Sequence, residues 1–158
     1  MNNSSKFDEF FKNVNYDPMG IVKIPVGVIL YRANRVLEEL PTAHLCPDTG
    51  KTGTYFSAND PFLSETMCSE YWTDMIIGIY EVVQPIRAII GKNTIHEEDV
   101  SHVDSEIDAI FATKTPTKPY AELFITQKQI HKIKFVDSYN FTLKESIEKW
   151  GYHDWRKK

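Results

Sequence analysis

The first apolar segment of the chain has the residue pattern of a β-strand. Residues 21–32 are rich in β-branched side chains, and Pro25 and Gly27 interrupt the run. The pattern therefore predicts a strand at Val26–Tyr31. A more polar segment with apolar residues at helical spacing follows, and it predicts a short helix over residues 34–40.

Both ends of the chain carry short helical patterns. Three phenylalanines recur at helical spacing near the N-terminus and predict a helix over about residues 5–14. Residues Lys144–Trp150 predict a C-terminal helix that ends at Gly151, because glycine is the usual residue just past a helix end. This helix belongs to a helical tail over about residues 141–158.

The middle of the chain predicts several strands and one helix. Residues 41–53 contain prolines and glycines and are expected to be a loop. The run Asn59-Asp60-Pro61 is typical of a helix start, and it predicts a helix that continues to about Tyr71. Strands are predicted at Thr54–Ser57, Met75–Val83, Ile86–Ile90, Glu122–Ile125 and Ile130–Val136.

The order of these elements favours an α+β fold in a single domain of 158 residues, with its core at about residues 21–137. Helices fall early and strands cluster late, which is not the regular alternation of a parallel sheet. Residues 91–119 have weak periodicity. Long segments of this kind are often functional.

Composition narrows the classes of partner. The net charge of −4 does not favour a nucleic-acid backbone as an obligate partner. The two cysteines, Cys46 and Cys68, have no motif spacing and are expected to be buried free thiols. No apolar run is long enough to span a bilayer and the polar N-terminus lacks a signal-peptide core, so we expect a soluble chain. The pattern leaves open whether it is cytoplasmic or secreted into a target cell.

Three short motifs fail on spacing. The run Gly50-Lys51-Thr52 lacks the earlier glycine of a phosphate-binding loop, whose place is taken by Leu45. Alternating acids at residues 104–108 lack the glycine and the closing glutamate of a calcium loop. The segment after His96 has no second histidine one helical turn later. We therefore expect no metal site.

Three polar residues embedded in strand-like runs are candidates for chemistry. Arg32 ends an apolar strand, and its planar fork matches a phosphate or a carboxylate; a structural salt bridge is the alternative. Glu122 begins an apolar strand and can stabilise positive charge, as cleavage of a glycosidic bond requires; a solvent-facing carboxylate is the alternative. Ser57 closes a strand and can orient a carboxylate or cap a helix.

Together these runs resemble the ADP-ribosyltransferase superfamily, in its Arg-Ser-Glu branch related to cholera-type toxins. Leu30-Tyr31-Arg32-Ala33 is similar to the first-strand arginine motif of that branch. Thr54-Tyr55-Phe56-Ser57 is similar to its serine strand, often Ser-Thr-Ser, with Tyr55-Phe56 as a departure. Ala121-Glu122-Leu123-Phe124-Ile125 is similar to its catalytic-glutamate strand, and residues 130–136 to the strand after it.

The resemblance implies a split mixed β-sheet with flanking helices and a cleft that holds NAD+. Arg32 would bind the pyrophosphate or ribose side of NAD+, and Ser57 would orient Glu122. Glu122 would stabilise the oxocarbenium ion as nicotinamide leaves. The resemblance also places two neighbours of these residues, Ala33 and Thr54, on NAD+. The candidates to stack the nicotinamide ring are Tyr55, Phe56, Phe62 and Tyr71.

One departure concerns the group that accepts ADP-ribose. Many members carry Glu or Gln two residues before the catalytic glutamate, and Tyr120 stands there in this chain. The loop of residues 112–119, with Lys118, would face the acceptor. The resemblance thus implies a mono-ADP-ribosyltransferase, a toxin or effector, with an unknown protein or nucleic acid as acceptor. An inhibitor or activator protein is a further candidate partner. Water as acceptor would make it an NAD+ glycohydrolase.

Two alternatives remain open from the sequence. The related RES-type toxins degrade NAD+ with a glutamate from the helix after the serine strand, where Glu65 stands here, although their Gly-Arg-Trp-Asn run is missing. A binding module that keeps the fold without catalysis is the other. If Glu122 and Arg32 share a cleft, an enzyme of the first kind is favoured. If Glu65 faces Arg32 instead, the RES-type alternative is favoured.

Overall fold

The computed structural model describes residues 20–36, 41, 43–47, 49–58, 61–91 and 121–151, with the side chain of Phe62 excepted. The strands are β1 Ile21–Ile24, β2 Ile29–Asn34, β3 His44–Cys46, β4 Lys51–Ala58, β5 Met75–Val82, β6 Ile86–Ile90, β7 Ala121–Thr126 and β8 Ile133–Phe141. The helices are α1 Phe62–Glu65, α2 Met67–Tyr71 and α3 Leu143–Trp150, with a 3₁₀ helix at Gln127–Lys132. The helix expected at residues 5–14 and the last part of the C-terminal tail lie outside the described residues.

The strands form one sheet in the order β1-β6-β7-β4-β2-β5-β8, and β3 pairs with β4 outside that order. A few short helices accompany this sheet, so the predicted α+β class is confirmed. The expected mixed pairing is corrected, because each pairing in the described ranges is antiparallel. The short connection between β3 and β4 suits antiparallel neighbours, whereas parallel neighbours need long crossovers.

The sheet is joined at its centre by a short seam between β2 and β4. The seam consists of two residue pairs, Leu30 with Ala58 and Tyr31 with Ser57. On either side the pairing is longer: β2 pairs with β5 along its whole length, and β4 pairs with β7 over six residues. Within the described residues, β2 and β4 therefore part beyond Tyr31, and the sheet consists of two well-paired halves that meet at the seam.

The main core lies on one face of this sheet. Its largest fully buried side chains come from β2, β5, β6 and β7, and include Leu30, Tyr80, Ile86, Leu123 and Ile125. A second cluster packs under the helices and consists of Ala33, Cys68, Met75, Ile77 and Phe141. Since β-branched and aromatic residues suit the half-buried surface of a sheet, the strand patterns of the sequence are the source of both clusters.

The C-terminal helix forms as the sequence predicts. Thr142 accepts a hydrogen bond from the backbone of Glu145, and the Glu145 side chain accepts one from the backbone of Thr142, which is a capping box. Gly151 ends the helix with a positive φ of 82° and donates its N–H to Ile147. The helix is held on the domain by Ser146, whose hydroxyl donates to the backbone of Glu65 at 2.8 Å.

Two strand predictions were wrong in their bounds. Residues 41–53, expected to be loop, contain β3 and the start of β4, because residues 44–46 pair with residues 51–53 as a hairpin. The predicted strand at Val26–Tyr31 is shifted, since β2 begins at Ile29 and continues to Asn34. Its extension is stabilised by pairing with β5, a long-range partner that local sequence does not reveal.

Three predicted elements also changed in kind. The helix expected from residue 34 does not begin there, because Asn34 pairs with Ile76 in the sheet; residues 37–40 lie outside the described part of the chain. The helix expected through Tyr71 is divided at Thr66, whose hydroxyl donates to the Leu63 carbonyl oxygen at 3.3 Å and so competes with the helical pattern. The strand expected from Ile130 begins only after the 3₁₀ helix.

Both cysteines are buried free thiols, as predicted. Burial is the main cause that raises the pKa of the Cys68 thiol from its usual 9.0 to about 11, and the nearby Asp74 and Glu65 charges act in the same direction. A thiol that stays protonated at neutral pH is a poor nucleophile. Cys68 is therefore a core residue and not a candidate for nucleophilic catalysis.

Candidate functional site

A pocket of about 310 Å³ opens where β2 and β4 part. Its walls come from β2, β4 and β7 of the sheet and from the helices α1 and α2. It is lined by Tyr31, Arg32, Ala33, Tyr55, Phe56, Ser57, Leu63, Ser64, Met67, Glu70, Tyr71 and Glu122. The volume lies at the lower end of the range for small-molecule sites, which is about 300–1,000 Å³.

Arg32 lies on β2, just beyond the seam. Its side chain is half-buried, and Nη1 donates to the carbonyl oxygen of Tyr55 on β4 at 3.2 Å. The seam has ended at this position, so the guanidinium bonds a carbonyl oxygen of β4 across the gap between the two strands. Arg32 also lines the pocket, and a guanidinium group suits an anionic ligand.

Ser57 lies opposite Glu122 in the register of β4 and β7. Directly opposed residues of an antiparallel pair share one face of the sheet, with Cβ atoms about 4.5–5.5 Å apart. The hydroxyl of Ser57 is buried and lies 2.8 Å from the hydroxyl of Ser64 on α1. The Ser57 hydroxyl thus bonds to α1, and the expected role of Ser57 in orienting Glu122 stays a prediction.

Glu122 lies in the centre of the sheet on β7 and is half-buried. Its carbonyl oxygen accepts a hydrogen bond of 2.7 Å from the backbone of Gly91, which follows β6. Glu122 lines the pocket together with Arg32 and Ser57. The structure therefore brings together three residues that are 25 and 65 positions apart along the chain (32 to 57, and 57 to 122).

Several aromatic rings line the same pocket, and they differ in exposure. Tyr71 is 51% exposed at the mouth, with the guanidinium carbon of Arg35 5.6 Å from its ring centre. Tyr55 packs against Phe124 with ring centres 5.0 Å apart. Phe56 is only 2% exposed and belongs mainly to the core. Tyr71 and Tyr55 are therefore better placed than Phe56 to contact a ligand.

The other predicted ligand residues have different outcomes. Ala33 lines the pocket, as the prediction required. Thr54 is not among the lining residues; its side chain is buried, at a position farther from the seam than Tyr55. The side chain of Phe62, and the expected acceptor-facing residues Tyr120 and Lys118, lie outside the described residues.

Five lining residues were not among the candidates from the sequence. Tyr31 lies on β2, next to Arg32. Leu63 and Ser64 come from α1, and Met67 and Glu70 come from α2. The Asn59-Asp60-Pro61 run correctly indicated a helix nearby, but it carried no signal for which helical face would meet the sheet. Glu70 matters most for chemistry, because it adds a second carboxylate to the pocket.

Glu65 lies away from the pocket and binds the C-terminal helix. Its buried carboxylate accepts hydrogen bonds from Lys149 Nζ at 2.8 Å, Trp150 Nε1 at 2.8 Å and the Tyr139 hydroxyl at 2.6 Å. It is not among the residues that line the pocket with Arg32. These contacts assign Glu65 to the packing of α3 on α1.

The described residues contain no group of three or more His, Cys, Asp or Glu side chains arranged to hold a metal ion. Within the same ranges, no helix combines the length and apolar character needed to cross a membrane.

Comparison of the chain with models of known protein families, with curated proteins and with solved structures finds no match.

Proposed function

We propose that this chain is an NAD+-dependent mono-ADP-ribosyltransferase that cleaves the bond between nicotinamide and ribose and transfers ADP-ribose to a macromolecular acceptor. One observation carries the proposal: Arg32, Ser57 and Glu122, each expected from a separate strand motif, line one pocket. The parting of β2 and β4 at the seam supports a split sheet of the ADP-ribosyltransferase type. Such a sheet holds its ligand between the two halves.

The charges in the pocket fit this reaction. Glu122 and Glu70 contribute two carboxylates and Arg32 contributes a guanidinium. In NAD+ the nicotinamide ring is cationic and the pyrophosphate is anionic, so carboxylates favour one end and the guanidinium favours the other. Tyr55 and Tyr71 offer ring faces that attract a cationic ring.

The proposed chemistry needs positioning and charge more than a covalent intermediate. As the glycosidic C–N bond breaks, its electron pair goes to the nicotinamide nitrogen and positive charge develops on the ribose as an oxocarbenium ion. The Glu122 carboxylate stabilises that charge. The acceptor then adds to the anomeric carbon and loses a proton. Preorganised groups such as Ser57, fixed by Ser64, hold the geometry without reorganisation at the moment of reaction.

The size of the pocket fits part of NAD+. A volume of about 310 Å³ suits the nicotinamide and its ribose, where the bond breaks, and the adenosine end then extends along the mouth past Arg32. The exposed Tyr71 at the mouth is available to the bound ligand or to the acceptor. A toxin or delivered effector is the biological role that the resemblance suggests for such a domain, with a protein or nucleic acid as acceptor.

The two alternatives receive less support from the geometry. The RES-type alternative needs Glu65 near Arg32, and Glu65 instead binds Lys149, Trp150 and Tyr139. A binding module without catalysis would leave Glu122 in bulk solvent, and Glu122 is half-buried in the pocket beside Ser57. Hydrolysis, with water as acceptor, uses the same residues and is separated from transfer by experiment.

The direct test is nicotinamide release from NAD+ by the purified protein and by a Glu122→Gln variant. Glutamine keeps the size of the side chain and removes the negative charge, so the rate should fall by about 100-fold or more, as for other groups that stabilise transition-state charge. Labelled NAD+ supplied with a cell extract separates transfer from hydrolysis, since only transfer leaves the label on a macromolecule.

The matched control is Glu81→Gln. Glu81 is also a half-buried strand glutamate, but it lies on β5 and does not line the pocket. Its variant should release nicotinamide at the wild-type rate. The proposal fails if the wild-type protein neither binds nor cleaves NAD+, or if Glu122→Gln and Glu81→Gln behave alike.

A further inference from the structure

Gly91 lies directly beside the Glu122 side chain. Strands β6 and β7 pair as far as Ile90 with Leu123. The Gly91 N–H continues this ladder by donating to the Glu122 carbonyl oxygen at 2.7 Å. Gly91 is buried. In the sheet order, Glu122 is thus flanked by Ser57 on β4 and by Gly91 at the end of β6.

The space that a side chain would fill at Gly91 is occupied by the Glu122 carboxyl group. A Cβ atom added to Gly91 would lie 2.7 Å from both Cγ and Cδ of Glu122, and closer still to Oε1. Real Cβ atoms essentially never approach other atoms so closely. A residue with a side chain at position 91 would therefore force the Glu122 carboxylate to move.

The requirement at Gly91 is one of space and not of backbone conformation. The glycines with positive φ in the described chain are Gly27, Gly50 and Gly151, and Gly91 is not among them. The atoms that an added methyl group would meet belong to a flexible side chain and not to the backbone. An alanine should therefore be accommodated by the fold, with Glu122 displaced.

We propose that Gly91 is a positioning residue for Glu122, an inference that rests on the proposed function and deepens it. The absence of a side chain at Gly91 lets the Glu122 carboxylate lie across the end of β6, on the side of β7 away from β4. An added methyl group pushes the carboxylate toward β4. A displacement of about 1 Å at a reacting centre costs about 100-fold in rate, because the stabilising charge no longer meets the developing cation.

The test is Gly91→Ala, compared with wild type in nicotinamide release from NAD+. We expect kcat to fall by about 10- to 100-fold with little change in KM, since Arg32 and the aromatic walls of the pocket are untouched. The thermal unfolding midpoint should stay close to that of wild type. A kcat equal to the wild-type value, in a folded variant, would overturn the inference.

A second variant separates positioning from a general structural effect. Glu122→Asp shortens the side chain by one methylene, which withdraws the carboxylate from the methyl group of Gly91→Ala. We expect the double variant to lose no more activity than Glu122→Asp alone, because the shortened side chain already keeps the carboxylate clear of the added methyl group. Losses that multiply in the double variant would show that Gly91 acts independently of Glu122.

A readout without turnover keeps this inference distinct from the proposed function. The carboxyl ¹³C resonance of Glu122 is assigned by its loss in Glu122→Gln, and it should shift in Gly91→Ala. An unshifted resonance overturns the positioning role whatever the activity. If wild type neither binds NAD+ nor releases nicotinamide, the proposed function fails, and with it the catalytic meaning of Gly91. The resonance still reports whether Gly91 places the carboxylate.

Discussion

Arg32 has two tasks within a single side chain. One of its nitrogens donates to the Tyr55 carbonyl oxygen, and the group also faces the pocket. A planar guanidinium can do both because its five N–H groups point in fixed, different directions. A lysine at the same position keeps the charge but has a single nitrogen atom. It therefore weakens either the hydrogen bond to the Tyr55 carbonyl oxygen or the contact with a ligand in the pocket.

The residue-scale prediction is that Arg32→Lys weakens NAD+ binding by about 10-fold or more, the loss expected for a charge-assisted hydrogen bond. Isothermal titration calorimetry with NAD+ measures it directly. Arg87→Lys is the matched control, since Arg87 is exposed on β6 and does not line the pocket. Equal affinities for both variants and wild type would remove Arg32 from the proposed site.

At the scale of elements, the buried carboxylate of Glu65 joins three parts of the structure. It lies on α1 and accepts hydrogen bonds from Tyr139 on β8 and from Lys149 and Trp150 on α3. The next residue along α1 toward the N-terminus is Ser64, which contacts Ser57 in the pocket. The packing of α3 and the wall of the pocket therefore depend on the same short helix.

The corresponding prediction is that Glu65→Ala lowers the free energy of unfolding by about 3–5 kcal/mol, because it leaves Trp150 and Tyr139 donors and the Lys149 charge without their shared acceptor. Urea denaturation followed by tryptophan fluorescence gives the value. Lys144→Ala, at an exposed position of α3, should change it by less than about 0.5 kcal/mol. A small loss in Glu65→Ala would mean that α3 is held by apolar contacts.

Stability as a function of pH is a property of the whole molecule, and Cys68 contributes a defined part of it. Its pKa is raised to about 11 in the folded protein, against 9.0 for an ordinary thiol. Between these values the unfolded chain loses the thiol proton and the folded chain keeps it, so the free energy of unfolding falls as pH rises. The contribution is fully present below pH 9.

We therefore expect wild type to lose about 2 kcal/mol more stability than Cys68→Ala between pH 9 and pH 11, which is most of the total set by about 1.4 kcal/mol for each unit of pKa difference. The comparison uses the slope with pH, because the substitution itself leaves a small cavity that lowers stability at every pH. Parallel pH profiles for the two proteins would contradict the raised pKa.

The strands that carry Arg32, Ser57 and Glu122 could be predicted from the sequence, because each is a local run of β-branched and aromatic residues. Glu122 and Ser57 line one pocket, and their roles there stay predictions. Ser64 and Gly91 could not be found in this way. Their importance arises from the register of β4 against β7 and of β6 against β7, which pairs residues far apart in the chain.

The boundary errors have the same origin. Asn34 has the local surroundings of a helix start, yet in the structure it pairs with Ile76 of β5 as the last residue of β2. Thr66 ends α1 through a side-chain bond to its own helix, and such competition is only weakly visible in a pattern of apolar positions. Local periodicity indicates most of the strands but not β3, and long-range pairing determines where the strands stop.

The seam has a mechanical consequence for the molecule. Two residue pairs connect the half that contains Arg32 with the half that contains Glu122, so the seam has the geometry of a hinge. A small rotation about this hinge changes the distance between β2 and β4 more at the mouth of the pocket than next to the seam. A ligand bound by Arg32 in one half and by Glu122 in the other would link the two halves, so filling the pocket would restrict their relative motion.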